Sequence, residues 1–85
     1  MWNIKKSPPR LEKRFEFDDY KKISLFLEKV DNLCKISEIF PNISFGKNFV
    51  SFTIFLISDE ISKAEENFTS IVEQNFRELT SKQDD

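Results

Sequence analysis

The sequence predicts an α+β domain, a small antiparallel sheet with helices packed on one face in the order β-α-β-β-α. Three observations predict it. From Val50 onward the even positions, Val50, Phe52, Ile54 and Leu56, are all large and apolar, and alternation with β-branched and aromatic residues marks a strand. The stretch around it, Ile39 to Ile57, holds five of the ten Phe residues and the only Gly, which makes it the centre of the domain. On either side, apolar residues recur at helical spacing, and helices covering one face of an antiparallel sheet form a standard layer arrangement.

Residues 1–10 read as an N-terminal arm, because Ser7-Pro8-Pro9 disfavours helix. Trp2 and Ile4 can add an edge strand or anchor the arm to a partner. Lys5, Lys6, Arg10, Lys13 and Arg14 make this end basic, either as a solvated face or as a contact for an acidic protein surface. The domain proper runs over residues 11–79. Leu11 to Phe17 reads as a strand, with Leu11, Lys13, Phe15 and Phe17 on one side and Glu12, Arg14 and Glu16 on the other. Asp18-Asp19 opens a helix, since Asp is a good N-cap. Ile23, Phe26, Leu27, Val30, Leu33 and Cys34 give that helix one apolar face, and it is expected to end near Ile36 to Glu38. Cys34 falls on that face and reads as a small core residue rather than a reactive thiol.

Ile43 to Phe45 reads as a short strand, joined to the long one by a turn at Gly46-Lys47. Gly at the first central position suits type II′. Ser58 to Ile61 reads as a loop. Ser62 and Glu65 then match the Ser-x-x-Glu capping box. Ala64, Phe68, Ile71, Val72, Phe76 and Leu79 make the second helical stripe, and residues 80–85 read as a flexible polar tail. The even side of the long strand faces the helices. The other side shows Glu12, Arg14, Glu16, Phe49, Ser51, Thr53 and Phe55. Two Phe among charges and hydroxyls suit a protein-binding surface, a subunit interface, or both.

Composition narrows the function. The chain has no His, which removes the commonest general base and metal ligand, the Ser-His-Asp and Cys-His catalytic sets, and the usual zinc sites. One Gly leaves no phosphate-cradling loop, and one Cys allows no internal disulfide. A net charge of −2 gives no general pull toward nucleic acid or anionic membrane. No apolar run approaches the roughly 20 residues that span a bilayer. A cytosolic protein without cofactor or metal is expected. At 85 residues the chain hides only about 60–65% of its unfolded surface, so self-association is expected too.

The run Lys13-Arg14-Phe15-Glu16-Phe17-Asp18-Asp19-Tyr20, the helix after it, Pro41 ahead of a hairpin and a capped last helix resemble pterin-4a-carbinolamine dehydratases. The likeness covers about Leu11 to Phe76, without that family's usual N-terminal helix. The resemblance implies a pterin-dehydratase-like fold, and the catalytic pattern departs from it. Ile39-Phe40-Pro41 stands where those enzymes carry His-His-Pro. Lys35 replaces an expected acid, Ile43 a common Trp, and about Asp59 the third His. Carbinolamine dehydration needs proton transfer, which imidazole performs near neutral pH and which Ile39 and Phe40 cannot.

Pro8 to Phe17 and Phe40 to Gly46 are similar to the branch of this fold encoded with α-carboxysome genes and regarded as Rubisco assembly factors. That resemblance implies a non-enzymatic chaperone of carbon dioxide fixation, in a bacterial cytoplasm and associated with carboxysomes. Its implied partner is the Rubisco large subunit, bound by a saddle-shaped homodimer whose sheets join edge to edge. Phe40, Pro41, Asn42, Ser44 and Phe45 would line the former substrate pocket, as a docking site or simply filling it. Arg14 and Glu16 would offer ion pairs to the client or remain ordinary surface charges. Two alternatives are a dimerisation cofactor of another partner and a weak residual 4a-hydroxytetrahydropterin dehydratase relying on Asp59.

Overall fold

A computed structural model describes residues 2–80. The elements are β1 (Asn3–Lys5), β2 (Arg10–Glu16), α1 (Tyr20–Ser37), β3 (Asn42–Phe45), β4 (Phe49–Phe55) and α2 (Lys63–Thr80). They build the expected α+β domain. The sheet has four strands in the order β1-β2-β4-β3, every neighbouring pair antiparallel. The alternative left open for the N-terminal residues resolves to an edge strand, with Ile4 opposite Leu11. Trp2 continues onto the core, its ring centre 6.0 Å from that of Phe15 and 5.7 Å from that of Phe52. Thr80 is the last residue of α2, and the rest of the expected tail lies outside the described residues.

Register explains the core. Phe15 pairs with Val50, Lys13 with Phe52 and Leu11 with Ile54, so one row from each central strand points to the same face. Leu11, Phe15, Val50, Phe52 and Ile54 are buried there against Ile23, Phe26 and Val30 of α1 and Phe68 and Val72 of α2. Rings dominate this layer. Phe15 packs edge-on against Phe26 and Phe52, with centroids 5.3 and 5.6 Å away. Such pairs add about 0.5–1.5 kcal/mol each beyond the area they bury.

The helix ends follow local chemistry. The Asp19 carboxylate accepts from the Lys21 amide at 2.9 Å. Glu38 closes α1 in the left-handed region, φ 61°, and its amide donates to the Cys34 carbonyl at 2.8 Å. The capping box of α2 is reciprocal: the Glu65 amide donates to Ser62 Oγ at 3.1 Å, and the Ser62 amide donates to Glu65 Oε1 at 2.8 Å.

Two local expectations are corrected. The hairpin turn is centred on Lys47-Asn48, not Gly46-Lys47. Phe45 pairs with Val50, and the Gly46 amide donates to the Phe49 carbonyl at 3.0 Å. Gly46 has no positive φ, so it does not serve a type II′ turn. It is needed for room, because a Cβ there would lie 2.5 Å from Cε1 of the Phe49 ring. In the second stripe, Ala64 and Ile71 are exposed. The capping carboxylate of Glu65 is buried in the first turn instead, and Ile71 sits about 100° round the helix from buried Val72.

Candidate docking surfaces

The open side of the sheet carries the other row of each strand. Register sets Arg10 beside Phe55, Glu12 beside Thr53, Arg14 beside Ser51 and Glu16 beside Phe49. Asn42 and Ser44 of β3 join this side opposite Thr53 and Ser51. The centre is therefore a patch of small polar groups, with a Phe at each end of β4, roughly 20 Å apart at strand rise. The charges on β2 neutralise one another. Arg10 Nε donates to Glu12 Oε2 at 2.7 Å, and Arg14 Nε donates to Glu16 Oε2 at 2.9 Å. The Arg14–Glu16 pair is exposed, and such pairs contribute only about 0–1 kcal/mol to stability, so it shapes the surface more than it holds the fold. The Arg14 guanidinium also lies 4.1 Å from the Phe49 ring centre, and the Cε1 edge of that ring lies close to Gly46. The guanidinium thus packs on a ring for which Gly46 leaves room.

Pro41 and Phe45, expected on one surface with Asn42 and Ser44, face the opposite way. Phe45 shares the helix side with Val50, as Ile43 does with Phe52, yet the helices do not reach over β3. Phe45 is 49% exposed and Phe40 71%, so neither ring simply fills an emptied pocket. Together with Pro41, Ile43 and the Val30–Cys34 side of α1 they border an apolar groove of about 360 Å³. Cys34 lies at its base, its thiol pKa pushed up by burial and then by the carboxylate of Asp31.

A second cleft, of about 250 Å³, joins residues expected on separate surfaces. Phe40 from the start of the hairpin and Phe55 from the end of β4 both line it, with Ile57 beyond them. Glu38 and Glu65 supply carboxylates to its wall. Sequence reasoning missed Ile57, Glu38 and Glu65 as surface determinants. Ile57 alone carried a signal, as an apolar residue on the odd row of the long strand.

The positions matching the dehydratase catalytic pattern do not assemble a proton-transfer site. Ile39 packs against the core, Lys35 pairs with Asp31 at 3.2 Å, and Asp59 lies on the exposed loop between β4 and α2. Among the described residues no group of three or more His, Cys, Asp or Glu is placed to hold a metal ion, and no helix is long and apolar enough to cross a membrane.

No family profile matches the chain, and no curated protein matches it. A solved structure does. It is described as a pterin dehydratase-like protein identified as a RuBisCO assembly factor in the α-carboxysome. It is similar to this chain at a TM-score of 0.79 and 30% identity, over 88% of this chain and 88% of that one. The chain belongs to the pterin dehydratase-like family. The Ile39-Phe40-Pro41 segment carries only apolar side chains.

Proposed function

We propose that this pterin dehydratase-like protein is a non-catalytic assembly factor that binds Rubisco large subunits during α-carboxysome biogenesis. The observation that carries the reading is the similarity, over 88% of each chain, to a protein described as a RuBisCO assembly factor in the α-carboxysome. The site chemistry agrees with it. Protonating a leaving hydroxyl calls for a group that titrates near neutrality. Ile39 and Phe40 have no such group, but offer apolar contact area. The protein would work in a bacterial cytoplasm, at the carboxysome, without cofactor.

Binding would use the open face around Glu12, Arg14, Glu16, Phe49 and Phe55, with Asn42 and Ser44 along its β3 edge. Phe40, Pro41 and Phe45 would extend the contact around the rim of β3. The reading includes a homodimer joined through β3. That strand lies at the sheet edge, and Ile43 and Phe45 beside it are partly exposed. Pairing it with the same strand of a second copy would continue the sheet, satisfy the edge and cover part of that apolar row.

The test is co-purification of tagged protein with Rubisco large subunit, alongside a pterin-carbinolamine dehydration assay and light scattering for mass. A stable complex, background turnover and a dimeric mass are expected. Turnover above background that is lost in Asp59→Ala, with no complex, would contradict the proposal. Recovery of transcription regulators without large subunit would favour a dimerisation cofactor instead.

A further inference from the structure

We infer that the cleft between the end of β4, the α1 cap and the first turn of α2 seats a client segment that carries Lys or Arg beside a large apolar side chain. The inference rests on the proposed role in assembly and adds to it a second contact with its own chemistry. Three of the most exposed large apolar side chains converge on this one cleft: Ile57 is 99% exposed, Phe40 71% and Phe55 53%. Each on its own would be ordinary surface, but a contiguous group is the pattern of a contact site.

Charge selects the occupant. Every ionisable residue lining the cleft is acidic, namely Glu38 and Glu65. Several carboxylates elsewhere on the surface pair with cations, as in Lys35–Asp31, Arg14–Glu16 and Lys22–Asp18. Glu38 and Glu65 are in no ion pair among the described residues. Glu38 caps α1 in the left-handed region and is exposed. Glu65 is only 7% exposed, and one of its oxygens accepts from the Ser62 amide, so it keeps its position without a cation. The positive end of α2 is answered by this same capping box, and the one neutral polar side chain in the lining is that of Asn42. Asp59 and Glu60 lie in the loop between β4 and α2, which leads into Lys63 at the start of the helix. An apolar seat whose charged lining residues are both Glu fits an apolar side chain flanked by a cation, which would bring a counter-charge to the exposed Glu38 carboxylate.

The probe is purified Rubisco large subunit, titrated with the full-length protein and three variants. Ile57→Ser removes the apolar contact, Glu38→Lys reverses the wall charge, and Leu25→Ser removes a comparable exposed side chain from the outside of α1. All three positions are exposed, and thermal melts check that the fold persists. The expected result is a wild-type affinity that falls with salt, a loss of about tenfold or more for Ile57→Ser and for Glu38→Lys, and no change for Leu25→Ser. Wild-type affinity in both cleft variants would overturn the inference and leave the assembly role standing. A loss in Ile57→Ser alone, without salt dependence, would overturn the basic character of the segment. Loss of self-association with intact client binding would make the cleft a subunit contact and overturn the inference. Absence of wild-type binding would remove the assembly reading and this inference together.

Discussion

The two rows of β4 differ in what they are for, although they alternate along one short strand. Val50, Phe52 and Ile54 are buried at 0, 0 and 3% exposure, each wedged between a strand neighbour and a helix. Phe49, Ser51, Thr53 and Phe55 stand on the other side, where no helix covers them. The same residue type therefore has two roles. Phe52 meets Trp2, Phe15 and Phe26 in a closed layer of rings. Phe49 meets a guanidinium and lies close to a glycine, and Phe55 is 53% exposed. The contrast teaches that strand phase, not residue hydrophobicity, separates fold-bearing from surface-bearing positions here.

The sharpest way to break that contrast is Phe52→Ala. Truncating a buried Phe costs about 3–5 kcal/mol. A domain of this size holds only about 5–15 kcal/mol in total, so urea midpoints should fall steeply or the fold should be lost. Little change would mean that the ring layer is not the source of stability. Next comes Ser62→Ala, which removes the side-chain half of the α2 cap. A loss of about 1 kcal/mol is expected in the same denaturation assay, with Glu65 left against fewer partners.

Gly46→Ala tests the open side. The new Cβ forces the Phe49 ring to shift, but that ring is only partly enclosed, and a less flexible unfolded chain offsets part of the cost. The net change should stay below about 1 kcal/mol, since single Gly-to-Ala effects on the unfolded chain are themselves about 0.4–1 kcal/mol. A larger loss would show that the Arg14–Phe49 contact beside Gly46 supports the fold.

The smallest effect concerns pH. Burial raises the Cys34 pKa, with the Asp31 carboxylate adding to it, so the native thiol keeps its proton where the unfolded one gives it up. The sign follows: this contribution is whole below the unfolded thiol pKa of about 8.5 and is lost as pH rises through the native value. Unfolding free energy measured from pH 7 to 10 should decline, and the decline should be shallower in Cys34→Ala. Native Cys34 should also alkylate slowly, because the thiolate is the nucleophile.

Much of this contrast was legible in the sequence. Alternation along β2 and β4 carries phase directly, so the buried row and the open row could be assigned residue by residue. Ser62 and Glu65 announced the second helix because a capping box needs only a fixed local spacing. The turn was misplaced because glycine usually signals backbone freedom, whereas Gly46 makes room for a ring three residues on. Pro41 and Phe45 parted from Asn42 and Ser44 because pairing phase on β3 sends neighbours to opposite sides, and a pocket inferred by likeness carries no phase. The acidic cleft was illegible for another reason. It gathers a helix cap, a strand end and a helical first turn that lie far apart in sequence and meet only in the folded chain.

The most direct measurement is the yield of assembled Rubisco when large and small subunits are co-expressed with this protein, with its Phe49→Asp and Phe55→Asp variants, and without it. The account predicts a clear rise with the wild-type chain and no rise with either variant, both variants remaining folded. An unchanged yield with wild-type protein, or full support from both variants, would contradict it.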